Sequence, residues 1–178
     1  MSNHFPIMVI ILTALSAIGP SELPAQSQLT NQPPPLVSWW HRSFDVLSWR
    51  ETLAVVKSPR AICWQVRRHV TYHEENGDQW SRGQTIWNRG YGDCDDFATC
   101  VEELCEAKGF TCWIALVFPV ESHSNGHCVV MGIWNGQMWM ASNGKYYEVS
   151  SLAEALKKLE GIRGFEGHRL EFVPFSLL

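Results

Sequence analysis

The chain is predicted to be an α+β protein, with N-terminal helices packed on an antiparallel sheet. Three observations lead there. Apolar residues recur at helical spacing between about residues 44 and 107, then run continuously or alternate as in strands from 112 to 142. Between two of the extended runs stands Asn135-Gly136, the strongest short hairpin signal. The 178 residues are 46% hydrophobic and 12% aromatic, which suits one core, is too short for two, and excludes a disordered chain.

The elements follow in order. Val46, Leu47, Trp49, Leu53, Ala54 and Val56 leave an imperfect helical stripe, predicting a helix over 44–57. Ser58-Pro59 reads as an N-cap followed by proline at the first helical position, opening a helix in which Ile62, Val66 and Val70 share a face. Thr71-Tyr72-His73 is extended. Residues 74–91 read as a polar connection with turn signals at Asn76-Gly77 and Arg89-Gly90. A strong helix is predicted over about 94–107, with Phe97, Val101, Leu104 and Cys105 inward and Lys108-Gly109 as its stop. Cys112 to Phe118 is a continuous apolar run, predicting a central buried strand. His127–Trp134 and Gln137–Ser142 form the hairpin. Ser151-Leu152-Ala153-Glu154 predicts a capping box and a helix to about Leu159, and Arg169–Pro174 a last strand.

Ahead of this domain, Pro6 to Gly19 is an uncharged apolar run, shorter than a bilayer span and of the length of a signal-peptide core. Gly19-Pro20 and Leu23-Pro24-Ala25 follow, placing a cleavage site after Ala25, although no Lys or Arg precedes the run. Residues 1–25 are therefore expected to be a leader, with an uncleaved anchor or a buried helix as the alternatives. Residues 26–38, with Pro33-Pro34-Pro35, read as a polar linker, and 39–178 as the folded domain. The expectation is an exported protein, periplasmic or extracellular, with no membrane span once the leader is removed. A net charge of −4 and the lack of a Lys/Arg cluster argue against nucleic acid as a partner.

The segment that points to chemistry is Gly90-Tyr91-Gly92-Asp93-Cys94-Asp95-Asp96-Phe97-Ala98. It delivers Cys94 to the first turn of a helix, where unpaired amides and the helix dipole favour a thiolate and those amides can hold an oxyanion. Asp93, Asp95 and Asp96 oppose the thiolate by like-charge repulsion. A partner base is needed, and His127 stands where a loop enters a strand. Ser142-Asn143 closes the returning strand beside it, where a side chain could orient the imidazole.

Tyr72, Asp78-Gln79-Trp80, the Gly92 to Ala98 block, His127 and Asn143 together resemble the transglutaminase-like superfamily, and most nearly its bacterial cysteine proteinases. The resemblance covers roughly residues 60–150. It implies a papain-like core, Cys94 as nucleophile, and His127 as general base and acid, with no cofactor. The family usually has Asp as the third member, and here Ser142-Asn143 stands instead. If Asn135-Gly136 is a two-residue turn, Val129 faces Ser142, and Ser142 shares the face of His127. A longer loop or a bulge would bring Asn143 to the histidine. Chemistry favours Asn143, whose side-chain carbonyl accepts an imidazole N–H well, and Ser142 is the alternative.

Gln79 and Gln84 are oxyanion candidates, and Trp80 a substrate-binding candidate, each weighed against a plain loop or packing role. Trp39-Trp40, Trp134 and Trp139 are weighed in the same way as groove or core residues. His123 and His127 are separated by loop-like residues, and Cys63, Cys100, Cys105, Cys112 and Cys128 show no Cys-x-x-Cys spacing, so no metal site is expected. Cys128 alternates away from His127 into the core. His41, His69, His73 and His168 read as surface or interface residues. The expected activity is that of a cysteine peptidase or amidase acting on a peptide or glutamine amide, in a protein or peptide substrate, through a thioester. The alternative is a catalytically weak or inactive binding module of the same fold.

Overall fold

The computed structural model describes residues 47–74, 79–121, 126–162 and 164–174. The leader, the linker, Trp39-Trp40, His41, Asn76-Gly77, Asp78 and His123 lie outside these residues. Helix α1 is Trp49–Val55, capped by a Ser48/Glu51 box. Helix α2 is Pro59–His69, with Ser58 accepting the Ala61 N–H and proline in the first turn. Strand β1 (Thr71–Tyr72) pairs in parallel with β2 (Tyr91–Gly92), and between them lies helix α3, Gly83–Arg89. Helix α4 is Cys94–Ala107. Then come β3 (Thr111–Pro119), β4 (His127–Trp134), β5 (Gln137–Ser142), β6 (Lys145–Glu148), helix α5 (Leu152–Leu159) and β7 (Leu170–Pro174). Among the described residues no helix is long and apolar enough to cross a membrane.

The five longer strands make one antiparallel sheet in the order β6-β5-β4-β3-β7. Each of its faces is covered. Ile62, Val66, Ile86, Phe97, Val101 and Leu104 of the helices pack against Cys128, Val130, Trp139 and Ala141 on one face. Val117, Val129, Met131 and Met140 on the other meet Ala155 and Leu159 of α5, with Phe165. The strand period of two thus divides the core into two layers, with α4 central to the first. The chain is α+β, as the order of its elements predicts.

The departures have local causes. Residues 83–89 are helical within what reads as a polar loop, because Ile86 and Trp87 supply a short apolar face that is buried. Lys145–Glu148 adds an edge strand after a tight turn at Asn143-Gly144, both at positive φ. The run from Cys112 is not uniformly buried: Val117 is fully buried, whereas Trp113 is 39% exposed. At α5, Ser151 accepts the Glu154 N–H, but Glu154 answers to Ser150. Trp139 is fully buried, stacked on Tyr146, and Trp134 meets Phe110 edge-on. His69 is half-buried, stacked on Trp87 with Nε2 against the Trp87 carbonyl.

Candidate active site

Cys94 is the first residue of α4, and the local sequence dictates that placement. Gly90, in the left-handed region at φ 76°, ends α3 and turns the chain into β2. Gly92 then passes so close to Asp96 that a Cβ would lie 2.2 Å from its Oδ2. Asp93 is the N-cap, and Asp96 accepts the Asp93 N–H at 3.3 Å, closing a capping box. Asp96 is buried and ion-paired with Arg89, whose Nε donates to the Tyr91 carbonyl at 2.8 Å. The Asp-x-x-Asp spacing of residues 93–96 was the available signal for this cap. The Arg89 partnership needs the missed helix α3, so sequence reasoning could not find it.

The Cys94 sulfur sits against the backbone N–H of Cys128, the residue after His127, and against that of Asp95. The start of α4 and the start of β4 therefore meet at one end of the sheet. His127 is buried beside Phe165, and the carboxylate of Asp93 faces it. Its Nε2 lies 2.8 Å from Ser142 Oγ. Register decides this pairing. Asn135 and Gly136 have φ of 51° and 77°, as a two-residue primed turn requires, so Trp134 opposes Gln137 and Val129 opposes Ser142. Asn143, preferred on chemical grounds, instead enters the following turn at φ 46°, and its Oδ1 is buried with no hydrogen-bond partner. Ser142, the alternative reading, is the residue that meets the imidazole.

Protonation follows from burial. The Cys94 thiol is pushed up to about 11, chiefly by desolvation and further by Asp93 and Asp95, against which the Cys128 and Asp95 amides work. Burial pulls His127 down to about 4, and the charge of Asp93 only partly resists. At neutral pH the pair is thiol and imidazole, not thiolate and imidazolium. Asp95 is raised to about 8, by burial first and then by its hydrogen bond with Asp93. Donor atoms of Asp93, Cys94 and Asp95 lie within 4.8 Å of one another, the group of residues here that offers metal-ligand atoms. Tyr72 of β1 borders the same charges and is held above the usual phenol range, by burial first and then by Cys94 and its acidic neighbours.

The remaining candidates scatter. Gln79 is exposed just before α3. Gln84 lines a hollow of about 410 Å³ with Trp49, His69 and Trp87, which includes neither Cys94 nor His127. Trp80 is 41% exposed and lines a cavity of about 770 Å³ with Trp113, Leu152 and Phe172. Cys128 packs in the helix-facing core, as its alternation from His127 predicts. Cys63, Cys94, Cys100, Cys105, Cys112 and Cys128 are all free thiols.

No family model matches this chain, and no curated protein matches it. Among solved structures it is similar to the crystal structure of a candidate cysteine protease from Cytophaga hutchinsonii. The TM-score is 0.44 at 14% identity, over 70% of this chain and 44% of that one. The chain thus spans under half the length of that protein.

Proposed function

We propose that this protein is a cysteine peptidase or amidase of papain-like, transglutaminase-like type, acting on a protein or peptide outside the cytoplasm. The observation that carries the reading is the meeting of a helix-start thiol, Cys94, with the strand that begins at a buried histidine held by a hydroxyl. With Ser142 accepting the Nε2 proton, Nδ1 is the basic nitrogen. The Cys94 sulfur attacks the amide carbonyl as Nδ1 takes the thiol proton, so the thiolate forms only during attack. The imidazolium then protonates the departing amine, and water, activated by the neutral imidazole, cleaves the thioester. In this reading the amides at the start of α4 receive the oxyanion. Water is favoured over an amine as acceptor, since selecting an amine needs a dry acceptor channel.

The test sets the wild type beside Cys94→Ala and His127→Ala, measuring peptide hydrolysis and trapping of Cys94 by a peptidyl electrophile. Activity that is lost in both variants, with mass added at Cys94 in the wild type, is the expected result. Turnover that survives Cys94→Ala overturns the reading.

One observation favours a second reading, a binding module that keeps the fold. The imidazole of His127 is a weak base at about 4, and the residue that meets it is a neutral hydroxyl. In that case Cys94 remains unmodified by the electrophile while the peptide still binds.

A further inference from the structure

A cavity against β3 and α4 has neither Cys94 nor His127 on its lining. Its volume of about 770 Å³ falls within the range that encloses a small organic ligand. Two indoles line it, Trp80 at 41% and Trp113 at 39% exposure, together with Leu152, Phe172 and Met131. Met131 and Phe172 belong to the core packing, whereas Trp80, Trp113 and Leu152 are exposed large apolar side chains gathered on one concavity, which is costly to leave in water.

A carboxylate, Glu102, is set into this wall. It is half-buried on α4, and its Oε1 accepts the N–H of Ile114 at 3.2 Å. Glu103, also on the lining, is engaged by the Gly83 N–H at 2.9 Å. Glu106 adds negative charge to Glu102, and burial is the main force holding the Glu102 carboxyl above the usual range. Among the described residues of the lining Arg82 is the cation, and it is exposed, so water screens it.

This combination selects among ligands. An anion meets carboxylates over a low-dielectric wall. A neutral apolar ligand buries itself but leaves Glu102 further desolvated. A cation with an apolar body gains on both counts, through the carboxylate and through the π faces of the indoles, which attract cations best among aromatic rings. We propose that this cavity is a binding site for an apolar organic cation, an alkyl- or arylammonium, with the charged nitrogen at Glu102 and the hydrocarbon against Trp113, Leu152 and Phe172. The site stands independently of the chemistry at Cys94.

The test uses three probes of one chain length, octyltrimethylammonium, octanol and octyl sulfate, at monomeric concentrations and raised ionic strength. Binding is followed by calorimetry and by tryptophan fluorescence. The ammonium probe is expected to bind about tenfold or more tighter than the other two. Glu102→Gln keeps an acceptor for Ile114 and is expected to reduce the ammonium to the level of octanol. Trp113→Ala, or Trp113→Phe if the first variant does not fold, weakens the ammonium further. Glu160→Gln, an exposed carboxylate on another helix end, controls for general acidity and leaves binding unchanged. Equal binding of the three probes, no measurable binding, or an equal effect of Glu160→Gln overturns the proposal.

Discussion

Replacing Ser142 with aspartate tests how the imidazole is governed. In the native protein Ser142 Oγ lies 2.8 Å from Nε2 of His127, both residues are less than a tenth exposed, and neither carries charge at neutral pH. A carboxylate at that position would pair directly with the ring. An opposite charge at hydrogen-bond range raises a histidine pKa by about one to three. Starting from about 4, His127 would then titrate near its ordinary range. Its cation would in turn draw down the Cys94 thiol. With a pKa of about 11, that thiol is ionised in only about one molecule in 10⁴ at pH 7. A fall of two would raise the thiolate fraction about a hundredfold. The assay is iodoacetamide alkylation of Cys94 against pH, mapped by mass spectrometry, together with the NMR titration of His127. The expected profile for Ser142→Asp gains a thiolate limb toward neutral pH that Ser142→Ala lacks. Ser142→Ala leaves a buried ring N–H unpaired and is expected to lose about 1–3 kcal/mol of stability. An unchanged alkylation profile and an unchanged His127 titration in the folded aspartate variant would refute the coupling.

Three further outcomes are expected. Between about pH 6.5 and 4 the unfolded chain protonates His127 while the native state does not, so this group destabilises the fold on acidification. Asp95, raised to about 8, acts with the opposite sign, and the effect must be read as a difference. Urea titrations should show the advantage of wild type over His127→Asn shrinking by about 3 kcal/mol across that window, and no change would contradict the burial argument. Asp96→Asn breaks a buried ion pair with Arg89 and weakens the cap of α4, so a loss of about 3–5 kcal/mol in denaturant stability is expected. Asn143→Ala strains a position at φ 46° and should cost about 1–2 kcal/mol while leaving the His127 titration in place. A displaced His127 titration in Asn143→Ala would return Asn143 to the imidazole.

Local rules carried much of the architecture. Ser58-Pro59 starts α2, the stripe Phe97, Val101, Leu104 and Cys105 turns α4 toward the sheet, and Asn135-Gly136 makes the hairpin, because caps, helical period and primed turns depend on residues close in sequence. The position of Cys94 at a helix start is legible for the same reason. Helix α3 was hidden, since two apolar residues in seven give no period until Ile86 and Trp87 find a surface to cover.

What tertiary structure alone decided is the company each group keeps. The nearby sequence left Ser142 and Asn143 both open to His127, and a register set by the pairing of two strands chose Ser142. The helix start at Cys94 argued for an easily ionised thiol. Its burial against Cys128, with Asp93 and Asp95 alongside, outweighs the amides and holds it protonated. Composition displayed a surplus of tryptophan without a purpose. The fold places Trp113 with Trp80 on a cavity that has Glu102 in its wall. Period, cap and turn are written within a few residues of themselves, whereas register, desolvation and the walls of a cavity depend on segments far apart in the chain.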